Sequence, residues 1–344
     1  DVVLIAGDIY DRSIPPAEAV KLLDETLSRI LLDHEIPVIL IAGNHDSPER
    51  LGFGASLMAR QGLQLVGQLT GDMAPVVIRD QHGPVYFCPF PYAEPSIIKE
   101  RLSAPDATDH NSAMLALARH LAARVPGGAR TVALAHAFVA GGECSESERP
   151  LSVGGTGAVD AACFQPFHYT ALGHLHRAQS AGSAHIYYAG SLMKYSFSEA
   201  AHQKSVTLVE MDGAGQVALE TVPLAPRKDV RCLEGYLHDI LAGPQNGECR
   251  DDYIMVTLKD TGAILDAIGK LREVYPNILH IERPCLTGCG VLRGPGGDHR
   301  TLSEADLFFS FFEQVTGSPL TDEQALAFSE TIDSFHKQER EVPA

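Results

Sequence analysis

Residue types that bind divalent metals follow four short apolar runs in this 344-residue sequence. They are Asp8 after residues 2–6, Asn44 after residues 38–42, His136 after residues 131–135, and His174 and His176 after residues 169–172. Carboxylate oxygen, amide oxygen and imidazole nitrogen are all suitable ligands for such cations. Two cations ~3.5–4 Å apart activate water and clamp a phosphate during in-line displacement. The pattern therefore predicts a two-metal site for phosphoryl hydrolysis, with Asp8 suited to bridge both ions.

Hydrolysis of a phosphodiester also needs a group that protonates the leaving oxygen. His45 lies between Asn44 and Asp46, and histidine is the side chain that most often transfers protons in enzymes. We expect His45 to face the substrate while Asn44 faces the metal, and we expect Asp46 to orient the ring of His45.

Each of these motifs is weak evidence alone, because a strand-end histidine is more often a hydrogen-bonded structural residue than a ligand. The GHLH sequence at residues 173–176 and the GNHD sequence at residues 43–46 are harder to explain by packing. Two interpretations stay open for Arg50, contact with a phosphate or pairing with an acidic neighbour. Tyr195 either lines the substrate pocket or packs in the core, and core packing is slightly favoured.

The elements that must position these residues follow from the spacing of apolar side chains. Residues 16–35 have helical spacing between the runs that end at Ala6 and Ala42, which predicts a βαβ unit with parallel, adjacent strands. A second helix is expected at residues 112–125, and strands at 186–191, 205–211 and 216–222. In an open α/β fold the carboxyl ends of the strands border one crevice, where the candidate ligands would meet.

A smaller unit is expected from about residue 228. Its predicted elements are a strand at 253–258, a helix at 261–275, a strand at 278–282, a Gly/Pro-rich linker at 288–297, and two helices that start near residues 303 and 321. We therefore divide the chain into a catalytic domain at 1–226, a small α+β domain at 227–290, and a linker with C-terminal helices at 291–344. Phe308, Phe309, Phe311 and Phe312 cannot all face one side of a helix, which suits a second apolar partner.

Composition limits the function classes. With 27 basic and 44 acidic residues the net charge is −17, which disfavours a protein that grips nucleic acid alone. This charge is compatible with an enzyme whose metals contact the phosphate and whose partner protein binds the rest of the nucleic acid. The sequence has no apolar run of ~20 residues and no leader of basic then apolar residues, so we expect a cytoplasmic protein without a membrane span. Cys285 and Cys289 are a weak candidate for a metal pair, since no second pair accompanies them.

The first residue is Asp1, and it leads directly into an apolar run typical of a strand buried on both faces. Such a strand needs parallel neighbours joined by crossovers. We therefore expect that N-terminal sequence, including a first strand, is missing.

The motifs resemble those of the calcineurin-like metallophosphoesterases. The resemblance lies in GDIYD at 7–11, GNHD at 43–46, the LAH that ends in His136, and GHLH at 173–176. GNHDSPERL at 43–51, YAGSLMKYSFSEA at 188–200 and KSVTLVEMD at 204–212 are similar to one branch, the SbcD nuclease subunits of bacterial SbcCD complexes. The resemblance implies an α/β protein: a metallophosphoesterase β-sandwich flanked by helices, with a small α+β capping domain and C-terminal helices.

The resemblance also implies a role for each motif residue. Asp8 would bridge both metals, Asn44, His136 and His174 would bind one ion, and His176 would bind the other. The usual metal of the family is Mn²⁺. Its activities are a single-strand endonuclease and, with an SbcC-type coiled-coil ATPase, a double-strand exonuclease in DNA recombination, repair and replication. The capping domain would face DNA, the Phe-rich helices would dock the coiled coil, and two nuclease subunits would form a homodimer within a heterotetramer.

One departure from the family pattern is important. The family begins with an Asp-x-His motif that completes the first metal site, and nothing in this sequence matches it. We expect the first site to be incomplete, so that this chain binds one metal poorly and is weakly active or inactive. Two alternatives remain open: a phosphodiesterase of the same superfamily that acts on small molecules, and a metal-poor subunit that serves assembly.

Overall fold

The strands that end in candidate ligands arise from short apolar runs, as the sequence predicts. The computed structural model describes residues 1–149, 151, 157–244, 247–261, 264–284, 303–316 and 319–341. The chain divides into two compact units, Asp1–Pro226 and Arg227–Ala344. The strands of the first unit are β1 Val3–Ala6, β2 Val38–Ile41, β3 Leu63–Val66, β4 Val76–Asp80, β5 Gly83–Phe90, β6 Arg130–His136, β7 Phe138–Val139, β8 Ala158–Val159, β9 Tyr169–Gly173, β10 Gln179–Ala181, β11 Ser183–Tyr188, β12 Ser205–Met211 and β13 Val217–Pro223. Its α-helices are α1 Ala17–Ser28, α2 Pro48–Leu51, α3 Ala55–Met58, α4 Pro95–Arg101 and α5 His110–Ala122.

Two sheets carry the strands that end in candidate ligands. Sheet 1 has the parallel order β1-β2-β3, and sheet 2 has the order β10-β11-β9-β6-β5-β4. The predicted βαβ unit is confirmed, because β1 pairs in parallel with β2 from Val3 opposite Val38 to Ala6 opposite Ile41. The helix expected at 16–35 is α1 followed by a π-helical turn at Arg29–Asp33.

Apolar side chains on alternate positions of the strands make a layered core. Ile39 and Ile41 of sheet 1 pack in one cluster with Val132 and Leu134 of sheet 2. The opposite face of β2 packs against Leu27 and other side chains of α1 and the π-helical turn, and the opposite face of β6 packs against α5. The unit is thus a β-sandwich flanked by helices, and the predicted fold class is confirmed.

The sheets differ from the sequence expectation in two respects. The four strand ends belong to two sheets rather than to one crevice of a single open sheet, with β1 and β2 in sheet 1 and β6 and β9 in sheet 2. The sequence analysis also did not predict β3, β4 and β5. The predicted hairpin is correct: β12 and β13 pair from Ser205 opposite Pro223 to Met211 opposite Val217. The carboxylate of Asp212 closes its turn by accepting the N–H groups of Ala214 and Gln216, each at 2.8 Å.

The second unit contains a parallel sheet of order β14-β15-β16. Its elements are β14 Val230–Gly235, α6 Leu237–Ile240, β15 Tyr253–Leu258, α7 Ala267–Val274, β16 Ile278–Glu282, α8 Glu304–Thr316 and α9 Asp322–Glu341. β15 and β16 match the prediction, whereas α7 is shorter than expected and β14 was not predicted. The linker at 288–297, Cys285 and Cys289 lie outside the described residues. The division of this unit into a capping domain and C-terminal helices stays a prediction.

The aromatic residues of α8 pack partly against α9. The rings of Phe308 and Phe328 stack with centroids 3.9 Å apart, and Phe309 also contacts Phe328. Phe311 is 57% exposed. The phenylalanines thus divide between packing within this unit and a free surface. No helix in the part of the chain described here has the length and hydropathy required to cross a bilayer.

Replacement of Leu117 by Ala tests the layered core. Leu117 of α5 is fully buried on the outer face of sheet 2, so Leu117→Ala should lower the free energy of unfolding by about 2–5 kcal/mol. Leu22→Ala is the matched control, because Leu22 of α1 is 65% exposed and its loss should change that energy by about 0.5 kcal/mol or less. Urea unfolding measures both. Equal effects would show that α5 does not cover the sheet as described.

Candidate metal centre

The carboxyl ends of β1, β2, β6 and β9 bring the candidate ligands together. The ligating atoms of Asp8, His136 and His174 all lie within 4.8 Å of one another. His136 Nε2 lies 3.3 Å from Asp8 Oδ2 and 2.8 Å from Asn44 Oδ1. Four of the predicted ligands, from four different strand ends, therefore surround one small volume.

Glycine next to the ligands allows the strand ends to approach so closely. A Cβ atom on Gly43 would lie 2.2 Å from Asp8 Oδ1, and a Cβ atom on Gly173 would lie 1.9 Å from the carbonyl oxygen of Ala6. Neither distance is possible for real atoms. Gly43 is thus required by the approach of the two neighbouring strand ends of sheet 1, and Gly173 by the packing of sheet 2 against sheet 1.

The donor atoms fit a divalent cation. His136 Nδ1 donates to the carbonyl oxygen of Ala6 at 2.8 Å, so Nε2 is the ring nitrogen available to a metal. Nε2 faces the side-chain oxygens of Asn44 and Asp8, and this set of one imidazole nitrogen and two oxygens suits a divalent cation. His174 Nδ1 is buried without a hydrogen-bond partner, which also suits a metal ligand.

The protonation states suit metal binding as well. Burial, with a smaller contribution from the neighbouring His136, lowers the pKa of His174 to about 3. Burial raises the pKa of Asp8, but hydrogen bonds and charge from His136 and His45 outweigh this effect and bring it to about 2. At neutral pH the site therefore offers a carboxylate and a neutral imidazole, which are the forms that bind metal.

His176 lies beside this group rather than within it. Its Nδ1 atom is 3.1 Å from Glu199 Oε1, and its ring centroid is 5.4 Å from that of Tyr195. Tyr195 is 63% exposed, so the core packing that the sequence analysis favoured for it is wrong. Its place beside His176 agrees with the other interpretation, a lining of the substrate pocket, which stays a prediction.

The surroundings of His45 require a correction. The two oxygens of Asp46 accept the N–H groups of Gly43, Ile9 and Tyr10 at 2.9–3.1 Å. They satisfy donors of two tight turns and do not orient the ring of His45. The His45 ring instead has Nδ1 2.9 Å from the carbonyl oxygen of Asp11, and its Nε2 is 3.9 Å from Asp8 Oδ2.

Arg50 is not brought into the group of ligands. Its side chain is exposed on α2, and its backbone N–H contacts the hydroxyl of the helix cap, Ser47. Another arginine pairs with the residue that contacts the His45 ring: Arg149 Nη2 is 3.6 Å from Asp11 Oδ1. The sequence analysis missed Arg149, Glu199 and Lys204. The last two lie in the segments 188–200 and 204–212, where only the family resemblance marked them.

Asp46 should be essential for the shape of the two turns. In Asp46→Asn one side-chain oxygen becomes an NH₂ group that faces backbone N–H donors, and the buried donors lose an acceptor. We expect a loss of about 1–3 kcal/mol in the free energy of unfolding and weaker metal binding, measured by urea unfolding and calorimetry. Asp33→Asn, at an exposed site after α1, is the control. An unchanged Asp46→Asn protein would show that the turns do not depend on this carboxylate.

Comparison with known proteins agrees with this site. Residues 1–177 match the model of the calcineurin-like phosphoesterases. The chain belongs to the calcineurin-like phosphoesterase family.

Residues 226–316 match a second model, the Type 5 capsule protein repressor C-terminal domain. The chain is similar to the SbcD subunit of the nuclease SbcCD from Staphylococcus epidermidis, with 32% identity over 283 residues, which cover 82% of this chain and 74% of that relative. The resemblance that the motifs indicated is confirmed, and membership of this phosphoesterase family implies divalent metals.

Proposed function

We propose that this calcineurin-like phosphoesterase is the nuclease subunit of an SbcCD-type complex and hydrolyses phosphodiester bonds of DNA. Its activities would be those that the resemblance to the SbcD branch implies: cleavage of double-stranded ends and of single strands or hairpins, in recombination, repair and replication. The observation that carries the proposal is the convergence of Asp8, Asn44, His136 and His174 at the ends of strands from two sheets. The similarity to a protein named as a nuclease directs the choice of substrate.

The side chains of this chain would divide the work among them. Asp8, Asn44, His136 and His174 would hold one cation, and Asp8 and His176 would contribute to a second. When bound, divalent cations activate water and neutralise the charge of the phosphate. His45, with its ring fixed by the carbonyl of Asp11, would donate a proton to the leaving oxygen. Arg50 and Tyr195 stay candidates for contacts to the DNA.

The finer assignments are also proposals. We propose Mn²⁺ as the metal, because the resemblance to the SbcD branch implies it and the side-chain oxygens of Asp8 and Asn44 suit this ion. The net charge of −17 disfavours strong binding of DNA by this chain alone. An SbcC-type coiled-coil ATPase would therefore provide most of the contacts to DNA. Two copies of the chain would form a homodimer in the complex, and the complex would act in the cytoplasm.

A substrate profile tests the proposed function against a small-molecule phosphodiesterase. Single-stranded and double-stranded oligonucleotides and a small diester, bis(p-nitrophenyl) phosphate, are offered with Mn²⁺, alone and with an SbcC-type partner. We expect cleavage of DNA that requires Mn²⁺, and double-strand cleavage that requires the partner. Hydrolysis of the small diester without any cleavage of DNA would refute the proposal.

Phe311 offers a test of partner docking by the C-terminal helices. Its ring is exposed, whereas Phe308 packs on Phe328, so Phe311→Glu should abolish capture by an SbcC-type coiled coil without unfolding α8 and α9. Single-strand cleavage should not change. Leu22→Glu, at a similarly exposed apolar residue of the first unit, is the control and should bind normally. Retained binding by both Phe311→Glu and a deletion of residues 301–344 would place the dock elsewhere. Capture of the partner without DNA cleavage by the unaltered chain would favour the assembly subunit.

A further inference from the structure

Glu199 and Lys204 form a buried ion pair beside His176. Glu199 has no exposed surface and Lys204 is 6% exposed, and Lys204 Nζ lies 2.5 Å from Glu199 Oε2. Burial of two charges costs several kcal/mol per ion unless other hydrogen bonds compensate. Two apolar side chains of the same volume would fill this space at a lower cost in free energy of desolvation. The stability of the fold therefore does not explain why the buried pair is charged.

The ammonium group of Lys204 is fully used by its neighbours. It donates to Glu199, to the carbonyl oxygen of His176 at 2.8 Å and to the hydroxyl of Ser191 at 2.8 Å. These are all three of its N–H donors. Lys204 therefore joins the backbone of His176 to the carboxylate that faces the side chain of the same residue.

The other oxygen of Glu199 faces the ring of His176. Glu199 Oε1 lies 3.1 Å from His176 Nδ1 and accepts the hydroxyl of Ser147, which itself lies 2.8 Å from the same ring nitrogen. The backbone N–H of His176 donates to Glu148 Oε1 at 2.8 Å. His176 is thus held through its ring, its N–H and its carbonyl group.

The charge of Glu199 decides where the proton of the ring lies. Glu199 accepts the ammonium of Lys204 on Oε2 and the hydroxyl of Ser147 on Oε1, which is the bonding expected of a carboxylate. An ionised carboxylate can only accept hydrogen bonds. The Nδ1 atom of His176, which lies 3.1 Å from this carboxylate, therefore donates to it, and Nε2 is the ring nitrogen available to a metal.

We infer that Glu199, held in place by Lys204, is a positioning residue that fixes His176 as the Nδ1–H tautomer and thereby presents Nε2 to a divalent cation. The inference rests on the proposed function, in which His176 binds metal. A carboxylate behind a ligating histidine typically orients the ring and raises its basicity. The ion pair is therefore retained for the geometry and tautomer of one ligand rather than for stability.

The first test is the tautomer of His176 in the unaltered, metal-free chain. Long-range ¹H–¹⁵N spectra of protein labelled in histidine distinguish a protonated from an unprotonated ring nitrogen. We expect Nδ1 protonated and Nε2 unprotonated at neutral pH. A proton on Nε2 would overturn the inference, and this measurement requires no variant to fold.

The second test removes the charges as a pair. Glu199→Gln with Lys204→Met keeps similar volumes and leaves no unpaired charge, so it should fold. We expect the tautomers of His176 to mix and the affinity for Mn²⁺, measured by calorimetry with MnCl₂, to fall about 10–100-fold. Glu143→Gln is the matched control, because Glu143 is an exposed carboxylate that pairs with Arg177, the residue after His176. Its affinity and spectra should not change.

The outcomes separate this inference from the proposed function. A folded double variant that binds Mn²⁺ as tightly as the unaltered chain would refute the role of Glu199. If the unaltered chain itself binds no Mn²⁺, the proposed metal centre fails, and the tautomer spectra alone decide whether Glu199 sets the proton on His176.

Discussion

Replacement of His45 by Gln is expected to lower the rate of DNA cleavage about 10²–10⁴-fold while Mn²⁺ binding stays unchanged. His45 lies beside the ligands, with Nε2 3.9 Å from Asp8 Oδ2, but it is not one of the three residues whose ligating atoms cluster. Its backbone N–H donates to Asp8 Oδ1 at 3.0 Å, and glutamine keeps this bond. The variant therefore removes the acidic proton and leaves the position of Asp8 intact.

A substrate with a better leaving group shows whether the lost function is protonation. Thymidine 5′-(p-nitrophenyl phosphate) releases p-nitrophenolate, which needs no proton, so His45→Gln should retain most of the activity on this diester. His34→Gln, at an exposed histidine after α1, should behave like the unaltered chain on both substrates. A variant that loses Mn²⁺ in calorimetry would instead identify His45 as a ligand, and equal losses on both substrates would refute the role in protonation.

The main features of the fold could be predicted because they depend on local patterns. Apolar runs predict β1, β2, β6 and β9. The helical periodicity of residues 16–35 predicts the crossover helix that makes β1 and β2 parallel. The turn at Asp212 followed from local turn chemistry. The order of strands in sheet 2 could not be predicted, since it depends on pairings between distant segments, such as β5 with β6 and β9 with β11.

Some residues of the candidate site could likewise be predicted from the sequence, and others could not. Asp8, His136 and His174 were predictable because a ligand type at the end of a strand is visible in the sequence. The partners of Asp46 were not, since a side chain in a tight turn bonds to whichever N–H groups the folded turns present. Glu199 lies 23 residues from His176 along the chain. Only the packing of the loop that carries Glu199 against His176 reveals that this acidic side chain is buried and paired.

His174 should be the residue whose loss affects the metal centre most directly. It is buried, its Nδ1 atom has no hydrogen-bond partner, and its ring lies against that of His136, with centroids 5.4 Å apart. Loss of a residue behind a ligand typically costs 10–100-fold in metal affinity. Loss of the ligand itself in His174→Ala should therefore cost roughly 10²-fold or more, and cleavage of DNA should fall by at least as much.

Two features make this variant informative about the imidazole alone. His174 has a φ of 105°, a left-handed backbone that is strained for any side chain, so alanine retains the strain that histidine has. His185→Ala provides the matched control, because His185 also has a buried ring nitrogen without a partner but lies on β11, outside the group of ligands. The loss of stability that comes from removing a partly buried imidazole ring therefore appears in both variants.

Thermal unfolding with and without Mn²⁺ then isolates the contribution of the metal. An ion present at 100 times its dissociation constant stabilises the folded chain by about 2.7 kcal/mol, so Mn²⁺ should raise the unfolding temperature of the unaltered chain and of His185→Ala. The same concentration should stabilise His174→Ala much less, because its dissociation constant is higher. If Mn²⁺ stabilises both variants equally, His174 is not a ligand, and the buried unpartnered nitrogen belongs to packing rather than to a metal centre.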